Sequence, residues 1–230
     1  MKSIRLQSVS RVFGRTFALH RVSLELEPGT LTGLVGDNGA GKTTLLNILA
    51  TLDKPSDGEV HFGRHDWTTF AQKGRHKIGW VSHDSLVYGE LTGRENLEFF
   101  ATMYGLGDGA ALADRWLERV GLTRAADRRV NAYSRGMKQR LTLARALLHE
   151  PAILLLDEPM TGLDQDGRRE MSELFMQLRD EGRLLVLITH SLDMLEGLAD
   201  RLAVLRRGKL THFGPVEADE DVADTYKVHA

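Results

Sequence analysis

The fold of this chain is decided by the stretch Gly36-Asp37-Asn38-Gly39-Ala40-Gly41-Lys42-Thr43-Thr44. Apolar runs at residues 31–35 and 45–49 flank it, which predicts a strand, a glycine loop and a helix in that order. The spacing fits G-x-x-x-x-G-K-[ST], in which backbone N–H groups wrap phosphates, the lysine reaches the outer phosphates and the hydroxyl binds Mg²⁺. The helix that begins near Lys42 adds the positive end of its dipole. The stretch therefore predicts a phosphate-binding site.

The composition describes a chain with a substantial core and little net charge. It has 230 residues, of which 42% are hydrophobic, enough for one domain or for one domain with an insertion. The formal net charge of −2 provides no basic field, so we do not expect nucleic acid as the partner. The absence of cysteine excludes disulfides, thiol chemistry and cysteine metal sites. We find no signal peptide and no apolar run near the roughly 18 residues of a membrane span, so a membrane role is expected to need a partner.

Two kinds of strand are predicted around the phosphate loop. Apolar residues partly alternate at 4–9 and 22–26, which favours an antiparallel sub-sheet. Continuous apolar runs at 153–156 and 184–188 are typical of parallel strands buried on both faces, and residues 167–178 offer a crossover helix between them. The predicted fold class is α/β, a P-loop NTPase core with a mainly parallel sheet and an N-terminal antiparallel sub-sheet.

A helical insertion is predicted in the middle of the chain. Helical periodicity recurs at residues 95–104, 110–120 and 137–148, and no strong strand pattern interrupts it. We therefore divide a single 1–230 domain into a nucleotide-binding core (1–84 and 151–215), a helical subdomain (85–150) and a tail (216–230) whose order the pattern does not predict.

Charged side chains end both of the buried runs. Asp157 and Glu158 are adjacent at a strand end, so they point in different directions. Asp157 is expected to bind Mg²⁺ together with Thr43, and Glu158 to polarise the water that attacks the γ-phosphate. His190 ends the other run, where an imidazole can hydrogen-bond phosphate. Alone, such groups are commonly structural, and the phosphate loop upstream favours the functional interpretation.

Two further features carry both a structural and a functional interpretation. Phe13, which precedes a glycine, could stack on a nucleobase or belong to the core. Ser134, in Tyr133-Ser134-Arg135-Gly136-Met137-Lys138-Gln139, can cap the helix that follows. The same geometry makes a second anion site, which raises the question of whose phosphate it binds.

This set of motifs resembles the ATP-binding subunits of ABC transporters, from about residue 4 to residue 213. In that family's terms, the matching segments are the Walker A loop (Gly36 to Thr44), Walker B with its catalytic glutamate (153–158), the signature motif (Ser134 to Gln139), the D-loop (Thr161-Gly162-Leu163-Asp164), the switch histidine (His190) and the adenine-stacking aromatic (Phe13).

The resemblance implies an ATPase that uses ATP and Mg²⁺, with Lys42, Glu158 and His190 in catalysis. It also implies a head-to-tail dimer, in which Ser134 and Gly136 of one subunit face the ATP held by the Walker A loop of the other. Asp164 of the D-loop is expected among the nucleotide-binding residues as well. The remaining partners would be integral-membrane subunits, which places the chain in the cytoplasm as a peripheral protein on the inner face of the cell membrane.

The chain departs from the family pattern at two positions. The usual L-S-G-G-Q is replaced by Tyr133-Ser134-Arg135-Gly136-Met137, which keeps the serine and the second glycine but has arginine at the first. At the Q-loop, where a glutamine normally reaches the metal and couples to the membrane subunit, the matching residue is His83. An imidazole there can gain a proton under mildly acid conditions, as glutamine cannot.

The segments at residues 81–97 and 133–141 look most like the CcmA-type subunit of the cytochrome c maturation (haem exporter) system. Exporters of drugs, lipids or polysaccharides share much of this pattern and remain alternatives. A soluble ABC protein of translation or DNA repair is less favoured, because the chain has no heptad arm, second cassette or basic stripe. A P-loop kinase would need a phosphoryl-acceptor site, and the signature motif and switch histidine argue against it.

Overall fold

The computed structural model describes residues 2–82, 86–216 and 222–229, which form two sheets surrounded by helices. Within these residues the strands are β1 (Ile4–Phe13), β2 (Thr16–Leu26), β3 (Leu31–Val35), β4 (Asp57–Phe62), β5 (His65–Asp66), β6 (Ile78–Val81), β7 (Ile153–Asp157), β8 (Leu184–Ile188), β9 (Arg201–Arg206) and β10 (Lys209–Pro215). The helices are α1 (Lys42–Leu49), α2 (Trp67–Lys73), α3 (Gly93–Met103), α4 (Gly109–Arg119), α5 (Arg135–Leu147), α6 (Gln165–Asp180) and α7 (Val222–His229). The predicted Q-loop residue His83 lies outside the described residues.

The smaller sheet is antiparallel, with strand order β2-β1-β4-β5. Strands β1 and β2 are longer than the alternating pattern predicted. Register shifts along their pairing accompany this length, so that β1 extends forward to Phe13 and β2 begins as early as Thr16. A tight turn that includes Gly14, at a φ of 60°, joins them. The predicted antiparallel sub-sheet is therefore present as a long, irregular hairpin extended by two further strands.

The larger sheet has the order β10-β9-β3-β8-β7-β6, and its neighbours from β9 to β6 are parallel. Alternate residues of β7 and β8 belong to two separate cores. Leu154 and Leu185 pack on the helical side, whereas Ile153 and Leu184 pack on the side of the smaller sheet. Because both faces of the sheet are covered, nearly every side chain of these strands is apolar, which explains the continuous apolar runs in the sequence. The predicted α/β P-loop fold is confirmed.

Register within the larger sheet positions the functional residues. Leu34 of β3 lies opposite Ile188 of β8, and Ile188 lies opposite Asp157 of β7. The carboxyl ends of three strands distant in sequence therefore meet at one edge of the sheet. In open α/β sheets this edge is where ligands bind.

The helices α3, α4 and α5 follow one another between β6 and β7 and pack on one another, and Trp116 of α4 is fully buried. Thr92 begins α3 with a reciprocal capping box, in which its side chain accepts from the Glu95 N–H and the Glu95 side chain accepts from the Thr92 N–H. These elements occupy the segment for which a helical subdomain is predicted. No helix within residues 2–82, 86–216 and 222–229 is long and apolar enough to span a membrane.

Candidate functional site

The loop between β3 and α1 depends on glycine for its path. Gly36 has a φ of 150°, and a Cβ there would lie 2.2 Å from the carbonyl oxygen of Leu205. Gly41 has a φ of 106°, and a Cβ there would lie 2.4 Å from the carbonyl oxygen of Ala18. Side chains at these two positions are excluded both by the backbone angle and by neighbouring strands. Gly41 is also the N-cap of α1 and supplies no side-chain hydrogen bond, so a ligand can be received by the N–H groups of the first turn.

Lys42 is buried inside this loop, with 7% of its surface exposed. Its Nζ donates to the carbonyl oxygens of Gly36 at 2.6 Å and of Asp37 at 3.0 Å. Burial lowers the pKa of Lys42, while the charges of Glu158, Asp157 and Asp37 oppose that effect. The ammonium group is thus anchored at the loop by two carbonyl oxygens.

Glu158 follows β7 in an unusual conformation, with a φ of 51°. Its N–H donates to the carbonyl oxygen of Ile188 at 3.0 Å, which holds it against the end of β8. Its Oε1 lies 3.6 Å from Nε2 of His190 and, within the described part of the chain, is buried without a hydrogen-bond partner. Burial raises the pKa of Glu158, and the neighbouring Asp157 adds to the rise, whereas His190 and Lys42 oppose it. A buried carboxylate oxygen without a partner is expected where a ligand or water completes a site.

A cavity of about 220 Å³ lies where the loop meets the strand ends. It is lined by Ala18, Asn38, Gly39, Gly41, Lys42, Thr43, Thr44, Asp157, Ile188 and His190. The structure therefore brings together the predicted loop, the predicted metal ligands Thr43 and Asp157, and His190, with Glu158 beside it. The remaining loop residues do not line the cavity; they are Gly36, Asp37 and Ala40.

Phe13 does not line this cavity. It ends β1 with 49% of its surface exposed, and the guanidinium carbon of Arg11 lies 4.5 Å from its ring centroid. The alternative that Phe13 belongs to the core is therefore wrong. Phe17, across the hairpin, is 52% exposed and was missed by sequence reasoning. The edge of the smaller sheet thus offers two exposed aromatic rings.

The signature residues also lie outside the cavity. Ser134 is the N-cap of α5, and its Oγ accepts a hydrogen bond from the N–H of Met137 at 3.2 Å. A Cβ on Gly136 would lie 3.0 Å from the carbonyl oxygen of Gly162, so the signature segment packs directly on the D-loop. Asp164 of that loop caps α6 by accepting from the N–H of Gly167 at 2.9 Å.

A contact that sequence reasoning missed connects the signature helix to the cavity. Nε2 of Gln139 lies 3.5 Å from the carbonyl oxygen of Glu158. Gln139 is in the first turns of α5, and Glu158 directly follows β7. No local pattern signals this contact, because the two residues come from different elements.

Comparison with known proteins identifies the class to which this site belongs. Residues 19–161 match the family model described as ABC transporter, and the chain belongs to that family. It is 38% identical to the daunorubicin resistance ATP-binding protein DrrA3 of Streptomyces coeruleorubidus, over 97% of this chain and 71% of that protein. It is 32% identical to the linearmycin resistance ATP-binding protein LnrL of Bacillus subtilis, over 92% of this chain and 68% of that protein. The Nod factor export ATP-binding protein I of Burkholderia lata is 37% identical, over 90% of this chain and 68% of that protein.

A solved structure agrees with this assignment. The ATP-binding cassette MJ0796, solved as a dimer in a post-hydrolysis state bound to ADP and Pi, superimposes with a TM-score of 0.84. The match covers 93% of this chain and 99% of that one at 28% sequence identity. The chain is an ABC ATPase.

Proposed function

We propose that this chain is the ATP-hydrolysing subunit of an ABC exporter and that it drives a membrane-embedded partner. The observation that carries the proposal is the cavity at the carboxyl ends of β3, β7 and β8. There the glycine loop meets Asp157 and His190, and Glu158 lies beside them. A cation, hydroxyl groups and a carboxylate base around one cavity of about 220 Å³ are the groups that phosphoryl transfer to water requires.

The loop residues hold the nucleotide in this proposal. The N–H groups of residues 36–44 and the start of α1 surround the β- and γ-phosphates, and Lys42 supplies positive charge. Phe13 provides an exposed face for the adenine ring. His190, whose side chain is 57% exposed, donates a hydrogen bond to the γ-phosphate.

The acidic side of the cavity fits a metal ion and a general base. Thr43 and Asp157 both line the cavity, and their oxygens are ligands of the kind that Mg²⁺ prefers. When bound there, Mg²⁺ neutralises charge on the β- and γ-phosphates. Glu158 takes the proton of the attacking water through Oε1, which has no hydrogen-bond partner in the described part of the chain. Burial raises the pKa of Glu158, which makes it a stronger base than an exposed carboxylate.

A second copy of the chain completes the site in this proposal. Ser134 and Gly136 lie at the exposed start of α5, away from the cavity of their own chain. In a head-to-tail dimer, this helix end would face the ATP held by the other copy. The packing of Gly136 on Gly162 would carry the closure of the dimer to the D-loop residue Asp164.

The membrane partner has a candidate surface on the helical side of the molecule. A patch of large apolar side chains is exposed there, formed by Leu86, Tyr88, Phe99, Met103 and Tyr104. The rings of Tyr88 and Phe99 contact edge to face, with centroids 5.1 Å apart. Exposed apolar patches of this kind mark interaction sites, and Leu86 follows the predicted coupling residue His83 by three positions. We infer that this patch receives the membrane subunit on the cytoplasmic face of the cell membrane.

The cargo has two candidates. The relatives named above are described by daunorubicin resistance, linearmycin resistance and Nod factor export, which favours export of an amphipathic small molecule. The segments at residues 81–97 and 133–141 resemble the haem exporter branch, which is the alternative.

The proposal is tested by isolating the tagged chain from membranes. We expect co-purified integral-membrane subunits and an ATPase activity that Glu158→Gln abolishes. A strain without the chain is then grown on a panel of amphipathic drugs and stained for covalent haem in c-type cytochromes. Drug sensitivity with normal haem staining supports the first cargo, and lost haem staining supports the second. Recovery with ribosomes or DNA in place of membrane subunits would refute the proposed function.

A further inference from the structure

The C-terminal helix α7 is held against the nucleotide-binding core by several contacts. Val222 at its start is fully buried. At its end, the Oγ1 of Thr211 in β10 donates to the carbonyl oxygen of His229 at 2.7 Å, and the rings of His212 and His229 stack with centroids 4.6 Å apart. Sequence patterns did not predict order in this region. The contacts fix α7 at both ends, so its side chains take defined positions.

One of those side chains reaches the phosphate loop. The Tyr226 hydroxyl donates to Oδ1 of Asp37 at 3.0 Å, across 189 positions of sequence. Asp37 is the second residue of the loop, and its own carbonyl oxygen accepts from Nζ of Lys42 at 3.0 Å. Burial, and then the hydrogen bond to Asp37, raise the pKa of Tyr226, so the hydroxyl keeps its proton and acts as the donor. A single loop residue therefore connects α7 to the lysine of the nucleotide site.

The charge on Asp37 explains why such a restraint matters. An exposed carboxylate beside an anion site repels the incoming phosphates and attracts the same lysine that they need. Asp37 is close enough to Lys42 for this competition, because Nζ of Lys42 already donates to the Asp37 carbonyl oxygen at 3.0 Å. A hydrogen bond to Tyr226 holds the carboxylate toward α7. Without it, the carboxylate can turn toward Lys42 and compete with the nucleotide.

We propose that Tyr226 is a positioning residue of the nucleotide site, which holds the Asp37 carboxylate away from the phosphates and so sets the affinity for nucleotide. The inference rests on the proposed function, since it needs the loop to bind a nucleotide. It goes further by giving the C-terminal helix a role in the binding step and none in the chemical step. Neither Tyr226 nor Asp37 lines the cavity, so the effect is indirect.

The test is a double-mutant cycle on the full chain, with ADP and Mg²⁺ as the probe and calorimetry as the readout. We expect Tyr226→Phe, which keeps the ring and removes the hydroxyl, to raise the Kd for ADP about fivefold. In the Asp37→Asn background the competing charge is gone, so the same change should alter Kd less than about twofold. In steady state, Tyr226→Phe should raise KM for ATP with kcat nearly unchanged.

Two control variants separate this role from a structural one. Lys227→Ala breaks an exposed ion pair with Asp224 inside α7, at 2.8 Å, and leaves the Tyr226 hydroxyl in place, so Kd should not change. Lys42→Ala tests the proposed function itself, because loss of ADP binding in that variant shows that the loop is the nucleotide site whatever Tyr226 does. An unchanged Kd in Tyr226→Phe, or an equal rise in the Asp37→Asn background, would overturn the inference.

Discussion

The starts of α1 and α5 are both helix ends suited to an anion, yet the structure completes them differently. The N-cap of α1 is Gly41, which makes no side-chain hydrogen bond, and the buried Lys42 follows it. The N-cap of α5 is Ser134, whose Oγ already accepts from the N–H of Met137, and Ser134 and Arg135 are exposed. The first end is left open toward a cavity of its own chain, and the second is capped and does not line that cavity.

This difference teaches that the two anion sites are not equivalent. At α1, the chain itself supplies the lysine, the carboxylates of Asp157 and Glu158, and His190 around one space. At α5, Ser134 does not line that cavity. We therefore propose that α1 can bind nucleotide within one subunit and that α5 supplies the half of the site that comes from a second copy.

The largest loss of ATP turnover is expected from a change at the catalytic base, in the dimer where the starts of α1 and α5 face one ATP. Glu158→Gln keeps the shape of the side chain but removes the base, so turnover should fall about a hundredfold or more while nucleotide still binds. The closed dimer should then accumulate, as seen by size-exclusion chromatography with ATP and Mg²⁺. Normal turnover in this variant would show that Glu158 is not the base.

The next largest effect is a loss of nucleotide affinity at the α1 site alone. Lys42→Ala removes a buried cation at the phosphate loop, so the affinity of the single subunit for ADP should fall at least about tenfold in calorimetry. Lys73→Ala, which removes an exposed lysine from the last turn of α2, serves as the matched control. Equal affinities in the two variants would remove the assignment of the loop as the nucleotide site.

A cap comparison tests whether α5 is half of a site. Ser134→Ala and Thr92→Ala each remove an N-cap hydrogen bond, from α5 and α3, and each should lower stability by about 1 kcal/mol. Only Ser134→Ala should also lower turnover, by about tenfold at concentrations where the dimer forms, with the affinity of the single subunit for ADP unchanged. If both variants lose turnover alike, α5 has only a structural role.

The smallest effect is expected on nucleotide affinity when the exposed ring of Phe13 is removed. Phe13→Ala should weaken binding of ATP, GTP and CTP by similar factors of about three, because stacking uses the face of the ring and no hydrogen bonds. Phe13→Trp and Phe13→Tyr should be tolerated. Phe17→Ala is the matched control, since Phe17 is equally exposed on the same hairpin, and a larger loss there would move the base-stacking role from Phe13 to Phe17.

Sequence patterns predicted the buried parts of the fold well and the polar connections poorly. The runs at residues 153–156 and 184–188 coincide closely with β7 and β8, because strands buried on both faces must be continuously apolar. The short helix α2 was missed, since Phe70 is its one buried residue and produces no periodic pattern. Helix α7 was missed for a similar reason, because Val222 is its one buried residue.

The sequence by itself determined the local chemistry of the site: a glycine loop with Lys42 and Thr43, a carboxylate pair at the end of an apolar run, and a serine before a helix. These features depend on neighbours a few positions apart, whose spacing sets backbone and capping geometry. Tertiary structure alone decided which of them share a cavity, because the pairing of β3 with β8 and of β8 with β7 joins segments far apart in the chain. The same holds for the hydrogen bond from Tyr226 to Asp37, since one polar contact across 189 positions leaves no periodic signal in the sequence.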